Sequence, residues 1–401
     1  MSSLFLQLHT LTAYPASLLN RDDLGFAKRI PFGGVSRTRV SSQCLKRHWR
    51  TFTGPGGFNE MPVDNAIRSR LIFQRLILDP LEAEGKDPRV AERVVAALSE
   101  LIQKAKAEES EDEQNAEAGK TSDSTRTQQP LVLGRAEVEF LLAEARALCD
   151  QGWKPNKDSK KELAQRLKAH REQNLKALGR AAGLDAALFG RMVTSDILAR
   201  GDAAVHVAHA FTVHAESTES DYFSVVDDLQ EEGDLGAAHI NSSELTTGLF
   251  YGYVVIDVPL LVSNLEGCKP QQWEAADREL AAEIVGRLVR LIATVSPGAK
   301  KGSTAPYTFS HLVLAESGPQ QPRALANAFL KPVSERPDVV ANAYRALSAH
   351  VQELDAMYGN PPARCLAALG DVAALGDELG RARVKTLAEV AEWAATQVRG
   401  S

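Results

Sequence analysis

Apolar residues at the start of the chain follow a two-residue period. Leu4, Leu6 and Leu8 are spaced two apart, with the polar Gln7 between the last two. Successive side chains of a strand point to opposite faces, so this spacing predicts a first strand that is half buried. An irregular stretch follows and ends at the Gly-Pro-Gly-Gly of residues 54–57, which is a strong break in regular structure.

The next part of the chain is mostly helical in pattern. Helical spacing of apolar residues covers 66–106, 136–149 and 162–178. Residues 108–130 differ, because a run of acids is followed by a Ser/Thr/Gln-rich stretch with almost no apolar residues. Such a composition cannot bury a core and predicts a solvated, disordered loop. We therefore expect residues 59–180 to form a helical lobe that carries this loop.

Strand patterns return in the second half of the chain. Residues 250–257 are rich in aromatic and β-branched side chains, and residues 308–315 give a second strand candidate. Between them, apolar residues at helical spacing over 280–295 mark one face of a helix that ends at Pro297-Gly298. Strand, helical insertion, strand, helix and strand in this order favour an α+β fold with an antiparallel sheet.

The composition narrows the function classes. The chain has 401 residues, of which 44% are hydrophobic, enough for a large core. Its four cysteines are widely spaced without a Cys-x-x-Cys pair, so neither a disulfide framework nor a zinc ribbon is indicated. The N-terminal residues lack the charged and apolar regions of a signal peptide, and no long apolar run could span a membrane. We expect a soluble, cytoplasmic protein with no membrane partner.

Positive charge is concentrated in one short segment. Residues 21–50 contain eight basic residues against only Asp22 and Asp23, a net charge of +6, whereas the whole chain carries −6. Such asymmetry localises an anion site and indicates nucleic acid. The alternative is a solvated basic face that pairs with the acidic remainder of the chain.

The C-terminal part of this segment has the pattern of a loop that turns into a helix. Ser41 or Ser42 can cap the helix, and its N-terminus offers free N–H groups that suit a phosphate. Helical spacing gives the basic residues one broad face and lets Leu45 and Trp49 pack inward. Hydroxyl, amide and guanidinium groups together suit a ribose–phosphate chain. Upstream, the Phe-Gly-Gly of residues 32–34 permits a close backbone approach.

These motifs together resemble one protein family. Leu19-Asn-Arg-Asp-Asp23, Phe32-Gly-Gly34, Arg39-Val-Ser-Ser-Gln43 and Leu45-Lys-Arg47 are similar to the N-terminus of the CasC family, the backbone subunit of the type I-E CRISPR Cascade complex. The similarity continues in the family's order at residues 190–192, 208–210, 223–231, 243–253, 297–300 and 325–329. It covers nearly the whole chain, although each piece alone is weakly specific.

The resemblance implies a hand-like subunit. A palm with an RRM-like (ferredoxin-like) antiparallel sheet would comprise residues 1–58, 181–212 and 245–401. Residues 59–180 would be the helical fingers insertion and residues 213–244 the thumb. The acidic loop at 108–130 departs from the family's pattern.

The resemblance also implies a function. Such a subunit is not an enzyme and needs no cofactor or metal. Its copies polymerise head to tail along CRISPR RNA, hold the phosphate backbone and present kinked guide segments for pairing with target DNA in antiviral defence. Its partners are the CRISPR RNA, target DNA, other copies of itself and the other Cascade subunits.

The resemblance assigns RNA contact to twelve residues. They are Arg21, Lys28, Ser41, Gln43, Lys46, Arg47, Arg50, Arg191, Met192, Phe223, Lys300 and Lys301. Met192 and Phe223 would lie against bases at the kink, where stacking tolerates any base. The others would hold the guide backbone.

Other readings of the sequence remain open. Related subunits of type III complexes cut target RNA with an aspartate in a comparable loop, so Asp22 or Asp23 could serve a metal-assisted cleavage; the alternative is turn capping or pairing with Arg21. His206, His209 and His214 are interpreted as core or interface residues, because no further ligand completes a metal set. A generic RNA-binding or scaffold protein outside CRISPR defence is a third hypothesis.

Overall fold

The computed structural model describes residues 4–63, 66–103, 126–127, 130–173, 183–190, 202–225, 239–376, 379 and 385–400. The chain divides into two compact units. Unit 1 comprises Met1–Gly57, His206–Asp257 and Ala281–Ser401. Unit 2 comprises Phe58–Val205 and Val258–Leu280.

Two antiparallel sheets contain the strands of the described residues. The strands are β1 (Phe5–Ser17), β2 (Arg29–Phe32), β3 (Val35–Val40), β4 (Ile67–Ser69), β5 (Leu131–Leu133), β6 (Val205–Val207), β7 (Ala210–Thr212), β8 (Ser217–Val225), β9 (His239–Asp257), β10 (Leu312–Gly318) and β11 (Ala363–Ala368). The larger sheet has the order β11-β10-β1-β9-β7-β3-β2, and β6 and β8 also pair with β9. The smaller sheet pairs β4 with β5. The α+β expectation with an antiparallel sheet is confirmed.

The described residues also form helices. They are α1 (Ser42–Arg50), α2 (Asp79–Ala83), α3 (Pro88–Gln103), α4 (Arg135–Asp150), α5 (Lys157–Gln173), α6 (Leu184–Phe189), α7 (Val258–Glu266), α8 (Glu279–Thr294), α9 (Lys301–Thr304), α10 (Val339–Tyr358) and α11 (Leu387–Arg399), with a π-helical turn at Gln74–Leu78. Short 3-10 turns lie at Phe58–Glu60, Pro270–Ala275, Ala326–Phe329 and Val372–Leu375. No helix in the described ranges is long and apolar enough to cross a membrane.

The first strand differs from its prediction in burial. β1 lies between β9 and β10 in the middle of the larger sheet. Leu6 and Leu8 are buried as expected, but Gln7 and His9 on the opposite face are buried too. A central strand that is covered on both faces has no solvent side, so its polar residues must find internal partners.

The larger sheet has an apolar core on the face that carries Leu11. Leu11 of β1 and Leu314 of β10 cluster with Tyr344 and Leu347 of α10. The helix predicted at 280–295 is confirmed as α8, and its Gly286 lies where an added Cβ would be 3.5 Å from the carbonyl oxygen of Ala391 in α11. The strand predicted at 308–315 begins only at Leu312; before it, the Ser310 N–H bonds to the Ala293 carbonyl oxygen of α8.

Unit 2 has a separate helical core. Phe73, Leu81, Leu98 and Leu141 are buried together in it. The helical prediction for 66–106 is wrong at residues 67–69, which form β4 against β5. Local spacing could not reveal this strand, because its partner lies more than sixty residues later in the chain.

A network of buried charges begins at His9, on the same face of β1 as Leu11. The His9 Nε2 atom is 3.4 Å from Glu316 Oε2, and Arg364 Nε donates to Glu316 Oε1 at 2.7 Å. Arg364 also donates to both oxygens of Asp355, at 2.5 and 2.8 Å. Burial alone would raise the pKa of Glu316, but His9 and Arg364 outweigh it and lower the pKa to about 2. The carboxylate is therefore held ionised inside unit 1.

Candidate nucleic-acid interface

The predicted cap of α1 is Ser41. Its Oγ accepts from the Cys44 N–H at 3.3 Å, and its own N–H donates to Asn20 Oδ1 at 2.9 Å. The helix thus begins at a fixed point, directly after β3. Because the Ser41 side chain is buried and already serves as the cap, its clearest role is to position the residues that follow it.

The two faces of α1 are those that the sequence predicted. Trp49 is only 3% exposed, and Leu45 packs against a small cluster that contains Tyr14, Val40 and Phe250. Gln43 and Arg47 are exposed, and Lys46 and Arg50 are partly exposed. Burial of the apolar face therefore anchors the helix and leaves the cations of its other face toward solvent.

Three separate segments bring positive charge to α1. Burial raises the pKa of the Cys44 thiol, and the positive charges of Lys28, Arg47 and Lys301 partly oppose this shift. Burial lowers the pKa of His48, and Lys301 and Arg47 lower it further. Lys28 from the loop before β2, Arg47 from α1 and Lys301 from α9 therefore converge on one region of unit 1.

His209 extends this region toward β7. Arg39 Nη1 lies 2.7 Å from His209 Nδ1. Burial lowers the pKa of His209, and the charges of Arg39 and Lys28 add to that effect. We call Lys28, Arg39, Arg47 and Lys301 the basic cluster. Arg39 is the member that the sequence analysis left out of its site residues, because the partner that orients it is 170 residues away.

The segment around Lys300 and Lys301 is tied to the end of β1. The Ala299 N–H donates to the Leu18 carbonyl oxygen at 2.9 Å, and Lys300 Nζ donates to Ser243 Oγ of β9 at 3.1 Å. These bonds bring a distant part of the chain beside α1, as expected if both serve one surface.

The loop that contains Arg21 is closed by Asp22. Its Oδ1 accepts the N–H groups of Leu24 and Phe26 at 3.0 and 2.9 Å, and Arg21 forms an isolated bridge with Ala27. This is the turn-capping role that was the alternative to catalysis for Asp22.

Two cations of the basic segment are held by partners within the chain, Arg37 in the core and Arg29 at the surface. Arg37 is 0% exposed and donates to the carbonyl oxygens of Phe32, Thr212 and Phe329 at 3.2, 2.9 and 2.9 Å. Arg29 Nε donates to Glu216 at 2.6 Å, and its Nη2 pairs with Glu244. The net charge of residues 21–50 therefore overstates the charge that a ligand would meet.

The Phe-Gly-Gly motif of residues 32–34 packs closely against a later segment of the same chain. Gly33 and Gly34 form the two-residue turn between β2 and β3, with φ of +64° and +82°. A Cβ on Gly33 would lie 1.6 Å from the Leu330 carbonyl oxygen. The neighbour that requires glycine at position 33 is thus residue 330 of the same chain.

Three predicted site residues cannot be placed in full. Arg191 and Met192 lie outside the described residues. The backbone of Phe223 is in β8, opposite Asn241 of β9. Their roles at a kink of the guide stay predictions.

Of the three histidines, only His214 follows the core interpretation; His206 and His209 are exposed. His214 is buried, its Nε2 accepts the Leu249 N–H at 3.1 Å, and its Nδ1 donates to the Ala215 carbonyl oxygen at 2.7 Å. Across the described ranges, no group of three or more His, Cys, Asp or Glu residues could hold a metal ion.

Comparison with known proteins shows which family and which solved structures this chain resembles. The family model described as CT1975-like protein matches residues 6–393. A solved chain titled "CRISPR RNA-guided surveillance complex, pre-nicking" is similar at 25% identity with a TM-score of 0.74, covering 98% of this chain and 100% of that one. A second, titled "CRISPR RNA-guided surveillance complex", is 20% identical with a TM-score of 0.53 and 98% coverage of both chains, and shows similarity of fold. No curated protein matches. The resemblance to CasC-type backbone subunits is thereby confirmed, and the chain belongs to the CT1975-like protein family.

Proposed function

We propose that this chain is a non-catalytic backbone subunit of a type I-E CRISPR Cascade complex in the cytoplasm. It would polymerise head to tail along CRISPR RNA, hold the guide phosphates and present guide segments for pairing with target DNA. The observation that carries the proposal is the basic cluster, in which cations from separate segments gather on α1 of an otherwise acidic chain. Family membership and the similarity to chains of CRISPR RNA-guided complexes support it.

The arrangement suits a backbone contact that ignores sequence. Lysine and arginine neutralise phosphates, and a helix N-terminus adds donors for phosphate oxygens. Within the described site, Arg21, Lys28, Gln43, Lys46, Arg47, Arg50, Lys300 and Lys301 would contact the guide phosphates, and Ser41 would fix the helix that presents several of them. A subunit that must accept any spacer needs contacts of this sequence-independent kind.

The hand-like architecture is part of the proposal. The larger sheet would be an RRM-like palm, residues 59–180 the helical fingers and residues 213–244 the thumb. Arg191, Met192 and Phe223 would act where the guide is kinked, with Met192 and Phe223 against bases.

The RNA that co-purifies with the protein tests the proposal. The chain is produced in cells that hold a CRISPR array and the other Cascade subunits, and the bound RNA is sequenced. Repeat-derived guide RNA is expected. Random cellular RNA would support a generic RNA-binding protein instead, and equal recovery of guide RNA by a Lys46→Glu/Arg47→Glu/Arg50→Glu variant would overturn the assignment of α1.

The alternative of a type III-like ribonuclease needs its own test. Asp22 already accepts two backbone N–H groups, so Asp22→Ala would disturb the loop as well as any chemistry. Asp23→Ala is the cleaner variant, because Asp23 is exposed. We expect no magnesium-dependent cutting of complementary RNA by the assembled complex; cutting that either variant abolishes without preventing assembly would establish the ribonuclease.

A further inference from the structure

Two large aromatic side chains are exposed on the stretch that follows α9. Tyr307 is 73% exposed and Phe309 is 66% exposed. They alternate with Thr308 and Ser310, which are only partly exposed. Rings as exposed as these leave a large apolar surface in contact with water. Two of them on one short stretch are therefore a candidate binding surface.

The backbone of this stretch is fixed by the residues between the rings. The Thr308 N–H donates to Ser296 Oγ at 3.2 Å, and the Ser310 N–H donates to the Ala293 carbonyl oxygen at 2.9 Å. Ser310 Oγ also lies 2.8 Å from Thr12 Oγ1 of β1. These bonds hold Thr308 and Ser310 against unit 1, and the two rings are the more exposed side chains of the stretch.

The stretch continues directly from the basic cluster. The Ala305 N–H donates to the Lys301 carbonyl oxygen at 3.0 Å, and the Tyr307 N–H donates to the Ala305 carbonyl oxygen at 2.7 Å. Lys301 is the cluster member whose charge reaches Cys44 and His48 of α1. A strand of nucleic acid bound along the cluster therefore has aromatic rings at the end of the same connected segment.

We propose that Tyr307 and Phe309 form a stacking platform for bases of the single-stranded RNA that the basic cluster holds. The inference rests on the proposed function and adds a second set of base contacts to those proposed for Met192 and Phe223. Cations next to exposed rings are the combination that binds single strands without sequence preference.

The probes that test the platform are a single-stranded RNA of mixed sequence and the same RNA with abasic nucleotides. Binding of the full chain is measured by fluorescence anisotropy. Tyr307→Ala and Phe309→Ala should each weaken binding of the normal RNA about fivefold or more. Both should bind abasic RNA as the wild type does, whereas Lys301→Ala should weaken both probes equally.

Control variants separate stacking from loss of structure and from other surfaces. Tyr358→Ala and Met357→Ala remove side chains that are 71% and 76% exposed at the end of α10 and should leave binding of both probes unchanged. Tyr307→Phe should keep the wild-type affinity, because stacking needs the ring and not the hydroxyl.

The outcomes distinguish this inference from the proposed function. If the wild type binds RNA but both alanine variants match it, the platform is wrong and the proposed function stands. If these variants bind RNA normally yet fail to assemble with other copies, the rings form a protein interface and the platform is again wrong. If the wild type binds neither probe, the proposed function itself fails.

Discussion

Helices α1 and α5 carry the same net charge in opposite surroundings. α1 has three Lys and Arg residues and no acid, and α5 has six against three acids, so each has a net charge of +3. In unit 2, Lys160 of α5 lies 2.5 Å from Glu100 of α3, and Arg166 pairs with Glu144 of α4. In unit 1, Lys28 and Lys301 add further positive charge beside α1.

The difference shows that the charge of a segment does not by itself define a binding surface. Acids from neighbouring helices offset the field of α5, whereas neighbouring segments reinforce the field of α1. The same contrast divides residues 21–50 internally, because Arg29 pairs with two glutamates and Arg37 is enclosed by carbonyl oxygens. Long-range neighbours decide which cations a phosphate can meet.

Matched charge reversals give the largest expected effect. Lys46→Glu/Arg47→Glu/Arg50→Glu in α1 should weaken binding of single-stranded RNA on the order of 10³-fold, because three phosphate contacts become repulsive. The slope of log affinity against log salt concentration should become less steep by about 2, because three phosphate contacts are lost. Fluorescence anisotropy at several salt concentrations measures both quantities.

The control for this experiment is an equal charge change in α5. Lys157→Glu/Lys161→Glu/Lys168→Glu alters three exposed lysines and should change the affinity by less than about threefold, since acids of α3 and α4 offset the positive field of α5. If the two triple variants lost RNA affinity equally, the contrast between α1 and α5 would be wrong, and the total charge of the chain would govern binding.

The buried Arg37 should affect stability instead of binding. Arg37→Met leaves three carbonyl oxygens without their donor and should lower the free energy of unfolding by about 3–4 kcal/mol, at about 1 kcal/mol or more for each. Urea unfolding measures it. Arg47→Met, at an exposed position, should change stability by less than about 0.5 kcal/mol. If folded Arg37→Met bound RNA much more weakly than the wild type, the division of residues 21–50 into structural and RNA-contacting cations would be contradicted.

Glu316 should make the stability of unit 1 sensitive to acid. Because its pKa falls from 4.5 to about 2 on folding, its ionised form stabilises the fold at neutral pH. That contribution, about 3 kcal/mol, is fully present above about pH 5 and is lost as the pH falls toward about 2. In Glu316→Gln, the free energy of unfolding should depend less on pH over this range. An unchanged pH profile of urea unfolding would contradict the role of His9 and Arg364.

The ion pairs of α5 should give the smallest effect. Lys160 and Glu100 are each about a third exposed, so Lys160→Met should lower the free energy of unfolding by at most about 1 kcal/mol. Urea unfolding in low and high salt measures this loss. A loss as large as that of Arg37→Met would show that the Lys160–Glu100 pair holds the fold of unit 2 together and does not merely neutralise charge.

The sequence by itself determined the features that depend on near neighbours. Ser41 caps α1, Leu45 and Trp49 face inward, and α8 covers the predicted range, because helical period and capping are set within a few residues. The ordered set of motifs likewise identified the family, because it is a property of the sequence alone.

Only the tertiary structure decided which polar and charged residues meet. Arg37 bonds to residues 175 and 292 positions away, and Lys301 acts on α1 although it lies more than 250 positions later in the chain. The burial of His9 and the exposure of Tyr307 and Phe309 depend in the same way on strand pairing and on loop connections between distant segments. Local spacing cannot encode such pairings, since sheet order and the burial of a strand's second face are set by partners far along the chain.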